Sequence, residues 1–118
     1  MALKFGKTFR LKSQKDVRRV FRAGRRASDA RITLVAAANG LGYSRAAVGV
    51  STRHGHAVRR NRLKRLCREA FRLVRPQLPA GHDYMIIPRP GAAPCLAELQ
   101  SSLKALAPRV AAERKAGP

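Results

Sequence analysis

The chain has 118 residues, of which 26 are Lys or Arg and 6 are Asp or Glu, giving a formal charge of +20. Such a length holds one domain with one modest core, which the 45% apolar content can fill, while the charge exceeds what solubility requires and points to a polyanionic partner. Two cysteines, Cys67 and Cys95, exclude a disulfide scaffold, no apolar run approaches the roughly 18 residues of a membrane span, and the start MALKFGKTFR lacks a signal-peptide pattern, so cytoplasm is expected and no membrane.

Residues 1–12 are basic and unpatterned, and read as a flexible arm. Ser13 with Asp16 has the spacing of a helix start. Val17, Val20 and Phe21 then share one side and Gly24 is a natural stop, which gives a first helix over 13–23. Residues 31–38 (RITLVAAA) and 45–51 (RAAVGVS) read as strands, and the turn signal Asn39-Gly40-Leu41-Gly42 joins them as a hairpin.

After a connection containing Gly55, a second helix is expected over 57–75, ended by Pro76 and Pro79. At about 100° per residue, Leu63, Leu66, Cys67, Ala70, Phe71 and Val74 form its apolar stripe. Asn61, Lys64, Arg65, Arg68, Arg72 and Arg75 form the opposite face, with Glu69 the acid at its edge. The stripe fixes the helix to a core, and the cationic row then matches a phosphate backbone. Arginine favours forked contacts to phosphates and stacking on bases.

Residues 83–88 (DYMIIP) form a strand whose consecutive apolar residues place it centrally in the sheet. A loop over 89–94 leads to a last helix near 95–107, with Leu96, Leu99, Leu103 and Leu106 on one side, and 108–118 reads as a flexible tail. The expected fold is α+β: a single-sheet sandwich in the order α-β-β-α-β-α, one domain over 13–107. The passage strand–basic helix–strand is a crossover, right-handed by default.

His54, His56, Cys67 and His82 do not have the spacing of familiar zinc ligands, so no metal site is expected. Asp16, Asp29, Glu69, Asp83, Glu98 and Glu113 are scattered without a paired spacing, so no catalytic residue is assigned to the chain.

The run Gly49-Val50-Ser51-Thr52-Arg53, followed by Gly55-His56-Ala57-Val58-Arg59-Arg60-Asn61-Arg62-Leu63-Lys64-Arg65 and by Arg68-Glu69-Ala70-Phe71-Arg72, resembles the signature of the bacterial ribonuclease P protein component. Leu11-Lys12, Lys15-Asp16-Val17 and Val20-Phe21-Arg22 resemble its first helix. Asp83-Tyr84 through Arg89-Pro90 resemble its later strand, so the likeness covers roughly residues 10–107. It implies a protein that joins a catalytic RNA and helps it remove the 5′ leader of precursor transfer RNA. The Mg²⁺-dependent chemistry then lies in the RNA, and no protein partner is required. It also implies a left-handed crossover.

Carried over by position, Arg59, Arg60, Asn61, Arg62, Lys64, Arg65 and Arg68 would contact the RNA subunit. Thr52 and Arg53 stand where the family usually has two lysines. Val17, Phe21 and Val35 occupy leader-facing positions where aromatics are usual, which leaves Phe21 as the aromatic among them. Arg10 and Lys12, with Arg25 and Arg26, are candidates for the leader path. A ribosomal or other RNA-binding protein without a part in catalysis is the alternative reading. A groove-reading DNA module is disfavoured because no second helix lies a short turn away.

Overall fold

The computed structural model describes residues 9–111. Its elements are α1 (Gln14–Ala23), β1 (Arg25–Ser28), β2 (Ile32–Ala38), β3 (Arg45–Val48), α2 (Ala57–Val74), β4 (His82–Pro88) and α3 (Leu96–Ala111). The strands form one sheet in the order β1-β2-β4-β3. β2 is antiparallel to both β1 and β4, and β3 runs parallel to β4. The α+β fold, the single sheet and the central last strand are as expected.

The hairpin is not. β4 lies between β2 and β3, so the segment 39–44 crosses over its start instead of turning back. The reason lies in β4, where Asp83, Tyr84, Met85 and Ile86 are all buried. A strand apolar on both faces gains most from a position flanked and covered on every side. Asn39 accordingly serves β4: its N–H donates to the Gly81 carbonyl at 2.9 Å and its Nδ2 to Asp83 at 2.9 Å.

The hairpin occurs one strand earlier, between β1 and β2. Asp29 makes that turn, its Oδ1 accepting from the N–H groups of Arg31 (2.8 Å) and Ile32 (2.9 Å). β1 (RRAS) buries Ala27 alone, so no period-two pattern announces it. Its pairing with β2 starts directly after Gly24. A Cβ there would lie 2.4 Å from the Val20 carbonyl and 2.7 Å from that of Ala36, so the helix-to-strand corner admits only glycine.

The sheet has a core on each face. On one side Ile32, Leu34, Ala36, Tyr84 and Ile86 meet Cys67, Ala70, Phe71 and Val74 of α2 and Leu99, Leu103 and Leu106 of α3. On the other side Leu11, Val20, Val35 and Met85 form a smaller cluster under α1, flanked by Val17, Ala37, Ala47 and Ile87. The alternation along β2 and β4 thus supplies both cores. α1 is capped by Ser13, whose Oγ accepts from the Asp16 N–H at 3.3 Å.

Two boundaries move. Leu11 is buried and donates its N–H to the Ala46 carbonyl at 2.9 Å, so the chain is docked on the edge of β3 before the expected domain start. The remainder of the expected arm, residues 1–8, lies outside the described residues. α3 continues through Pro108 to Ala111. Proline forfeits one helical hydrogen bond, but Ala107, Val110 and Ala111 are buried, and that burial carries the helix past it. The rest of the expected tail, 112–118, is likewise outside the described residues.

Candidate nucleic-acid interface

The joint between β3 and α2 is a single pinned turn. The Gly49 N–H extends the ladder to the Ile86 carbonyl at 2.9 Å. Ser51 then caps a short helical turn, Thr52–His54: its Oγ accepts from the Arg53 N–H, and its own N–H donates to His54 Nδ1 at 2.9 Å. With Nδ1 accepting, Nε2 carries the proton that bonds the Pro88 carbonyl at 2.6 Å. His54 is buried and both its nitrogens are used, so it ties the start of α2 to the end of β4 and is unsuited to hold a metal. Gly55 has φ +105°, and a Cβ would meet Arg59 Cδ at 2.7 Å. Thr52 and Arg53 stay exposed on the outside of this turn.

α2 opens without conventional compensation. His56 provides no side-chain cap, and the first turn holds no acid. Its free N–H groups and the positive end of the helix therefore face Arg59 and Arg60, which the helix dipole disfavours. A phosphate anion would relieve both costs.

Further along, the cationic row divides. Among the described residues, the side chains of Arg53, Arg59, Arg60, Asn61, Arg62, Lys64 and Arg65 make no ion pair or hydrogen bond. Arg53, Arg59, Asn61, Arg62 and Arg65 are exposed, and Arg60, Lys64 and Arg68 are half-buried. Beyond them the row is occupied. Arg72 pairs with Glu69, its Nε 2.9 Å from Oε1, and Arg75 lies over the Phe9 ring, 3.7 Å from its centroid. Burial and the repulsion of nearby Arg10 hold the Arg68 guanidinium below the usual arginine range. Arg10, which bridges to Ala46 of β3, therefore lies near the basic helix.

The opposite face of the sheet carries an open cleft of about 290 Å³ lined by Phe21, Gly49, Val50, Ser51, Arg53, His54, Ile87 and Pro90. Phe21 presents an aromatic ring there, 42% exposed. Val17 is half-buried in the small core, and Val35, 1% exposed, has no surface to offer a ligand; it supports α1 from below. Lys12 is exposed just before α1, and Arg25 and Arg26 sit on β1, at the far edge of the sheet from β3. Arg53 joins the cleft to the α2 surface. Val50, Ile87 and Pro90 were not assigned to a site from the sequence, because only the β3–β4 pairing brings them beside Phe21.

The carboxylates within residues 9–111 all have protein partners. Asp83 is held by Arg19, Arg45 and Asn39, Asp16 by Arg45, Asp29 by backbone N–H groups, Glu69 by Arg72, and Glu98 by the Cys95 N–H. A divalent cation needs several oxygen donors converging on one point, and no group of three or more ligating side chains occurs among the described residues. Cys67 is fully buried, and that burial pushes its thiol up to about 12, which removes it as a nucleophile at neutral pH.

The sequence model of a family described as Ribonuclease P matches residues 5–111. The ribonuclease P protein component of Exiguobacterium sp. is 36% identical over 112 residues, spanning 94% of this chain and 97% of that protein. That of Thermotoga maritima is 36% identical over 89 residues, spanning 75% and 76%. The solved RNase P protein from Thermotoga maritima superposes with a TM-score of 0.75 at 30% identity, covering 86% of this chain and 96% of its own. With sequence and fold in agreement over nearly the whole described structure, the chain belongs to the ribonuclease P family.

Proposed function

We propose that this chain is the protein subunit of a cytoplasmic ribonuclease P, in which it binds the catalytic RNA and assists removal of the 5′ leader from precursor transfer RNA. The observation that carries this reading is the row Arg59, Arg60, Arg62, Lys64 and Arg65, held rigidly by a helix whose own start is uncapped, with Arg53 in the turn before it, all without an ion-pair partner among the described residues. Arginine forks grip phosphate oxygens in pairs, and Asn61 can bond a phosphate, a 2′-hydroxyl or a base edge. The cleft at Phe21 takes the single-stranded leader, with one base stacked on the ring and Arg53 positioned for an adjacent phosphate.

The chain's own chemistry ends at binding and orientation. The carboxylates among its described residues are engaged with its own donors, so Mg²⁺ is assigned to the RNA and no step is routed through the protein. What the protein supplies is positive charge along two polyanions that must lie side by side, which lowers their mutual repulsion and the Mg²⁺ concentration that assembly needs. Titration of ribonuclease P RNA with the protein over a range of salt tests this. If about six phosphates are neutralised, log affinity falls against log salt with a slope of about −4, and Arg65→Ala weakens binding. A flat salt dependence, or an unaffected Arg65→Ala, would overturn it.

A further inference from the structure

Arg62 and Leu66, one turn apart on the flank of α2, line two adjoining cavities. One, of about 140 Å³, is completed by Arg59, Leu63, Ala93 and Pro94. The other opens from it past Arg65 and Glu69. Together they form one groove between α2 and the loop that follows β4, bordered by Arg59, Arg62 and Arg65 of the cationic row and separate from the cleft at Phe21. Leu63 and Pro94 are buried and Leu66 is half-buried, so the floor is apolar; Arg59, Arg62 and Arg65 rise exposed along the rim with no protein partner among the described residues.

The wall opposite the helix is pinned at both ends. The Arg89 N–H donates to the Arg31 carbonyl at 2.9 Å, and the Ala92 N–H closes a turn onto the Arg89 carbonyl at 3.0 Å. Glu98 then fixes the Cys95 N–H at 3.0 Å, where α3 begins. The groove is therefore a preformed feature whose shape requires no occupant to hold it open.

From this geometry we infer that the groove receives an unstacked nucleobase of the RNA bound along α2. The inference rests on the RNA-binding reading above and adds a base-docking site to it. The occupant is set by charge and shape: a flat, apolar-faced ring attached to phosphates fits a floor of Leu63, Leu66 and Pro94 under three guanidinium groups. Guanidinium planes also stack on bases, and RNA is read chiefly where bases are splayed out of helices. An acidic peptide would satisfy the rim but leave the floor exposed.

The slot is blocked by Ala93→Phe, a change at an exposed loop position that leaves both cores untouched. Binding of this variant to ribonuclease P RNA should weaken about ten-fold or more, the usual loss when one stacked base is displaced, with the salt slope unchanged because the phosphate contacts remain. Arg62→Gln should instead weaken binding and flatten the slope by about 0.7. Ultraviolet crosslinking of the unsubstituted protein to the unmodified RNA should place a nucleotide adduct on residues 63–66 or 92–95, a readout independent of how any variant folds. Ala93→Phe binding as the unsubstituted chain does, together with adducts elsewhere, would overturn the inference. A flattened slope for Ala93→Phe would also overturn it, since displaced arginines and not a lost base would then explain the effect. If Arg62→Gln too leaves both affinity and slope unchanged, the RNA-binding reading of α2 fails along with the groove.

Discussion

Asp83 has no exposed surface, and its two oxygens meet Arg19 Nη2 at 2.5 Å, Arg45 Nε at 2.8 Å and Nη2 at 2.7 Å, and Asn39 Nδ2 at 2.9 Å. These donors come from α1, β3 and the segment after β2, so one carboxylate fastens three elements to β4. Asp83→Ala removes the shared buried acceptor and leaves the Arg19 and Arg45 guanidinium groups with the more distant Asp16, at 3.7 and 3.5 Å. The expected cost is about 3 kcal/mol, the low end for a broken buried pair because the arginines reach water; urea unfolding would measure it, and a loss below 1 kcal/mol would speak against the network. Asp29 offers a pH test. Its burial opposes ionisation, but hydrogen bonds from Ser102 and from the Ile32 and Arg31 N–H groups outweigh that, and the carboxyl sits below the usual range. A lowered folded-state pKa means stability that is present above the ordinary Asp value of about 3.9 and lost as pH falls through the lowered one. Relative to Asp29→Asn, the native chain should therefore lose its advantage only in that acid window. The two cysteines differ as sharply: a thiol reagent at neutral pH should modify the exposed Cys95 in the folded protein and reach Cys67 only after denaturation.

At the scale of elements, what was legible in the sequence was whatever depends on local period and local caps. Leu63, Cys67, Ala70, Phe71 and Val74 of the α2 stripe are buried as their spacing requires, with Leu66 half-buried, and Ser13 and Gly24 bound α1. What escaped depends on distant partners. β1 has one buried residue and exists because β2 offers it an edge. Asn39-Gly40 looks like a hairpin turn, but the apolar run of β4 takes the place beside β2 and Asn39 is used across that junction. α3 outruns Pro108 because Val110 and Ala111 find a core that no local rule reveals. The corners are accordingly tight. Gly24→Ala should destabilise the fold by more than a helix-propensity change, since its Cβ would stand 2.4 Å from a backbone carbonyl that cannot yield. Ser13→Ala should cost about 1 kcal/mol through the lost cap. Thermal melting that ranks these two the other way would contradict the packing of α1 described above.

Over the whole molecule, the sheet separates two surfaces of different chemistry: a cationic helix on one side and an aromatic cleft on the other, joined by Arg53 at the turn between β3 and α2. The family signature picks out the residues of the first, because they are contiguous in the chain. The second was named only through Phe21, because Val17 and Val35 belong to the core that carries it and its other walls assemble through topology. The division predicts separable defects. Arg65→Ala should weaken assembly with the RNA whatever the substrate, whereas Phe21→Ala should reduce cleavage of long-leader substrates by roughly the value of one stacked base, about 1–3 kcal/mol, and spare short-leader ones. The most direct test of the central claim is single-turnover cleavage of a precursor transfer RNA by ribonuclease P RNA from the same source, at low Mg²⁺, with and without this protein. Protein-dependent release of a correctly cut 5′ leader is the result expected; tight RNA binding with no gain in cleavage would contradict the account.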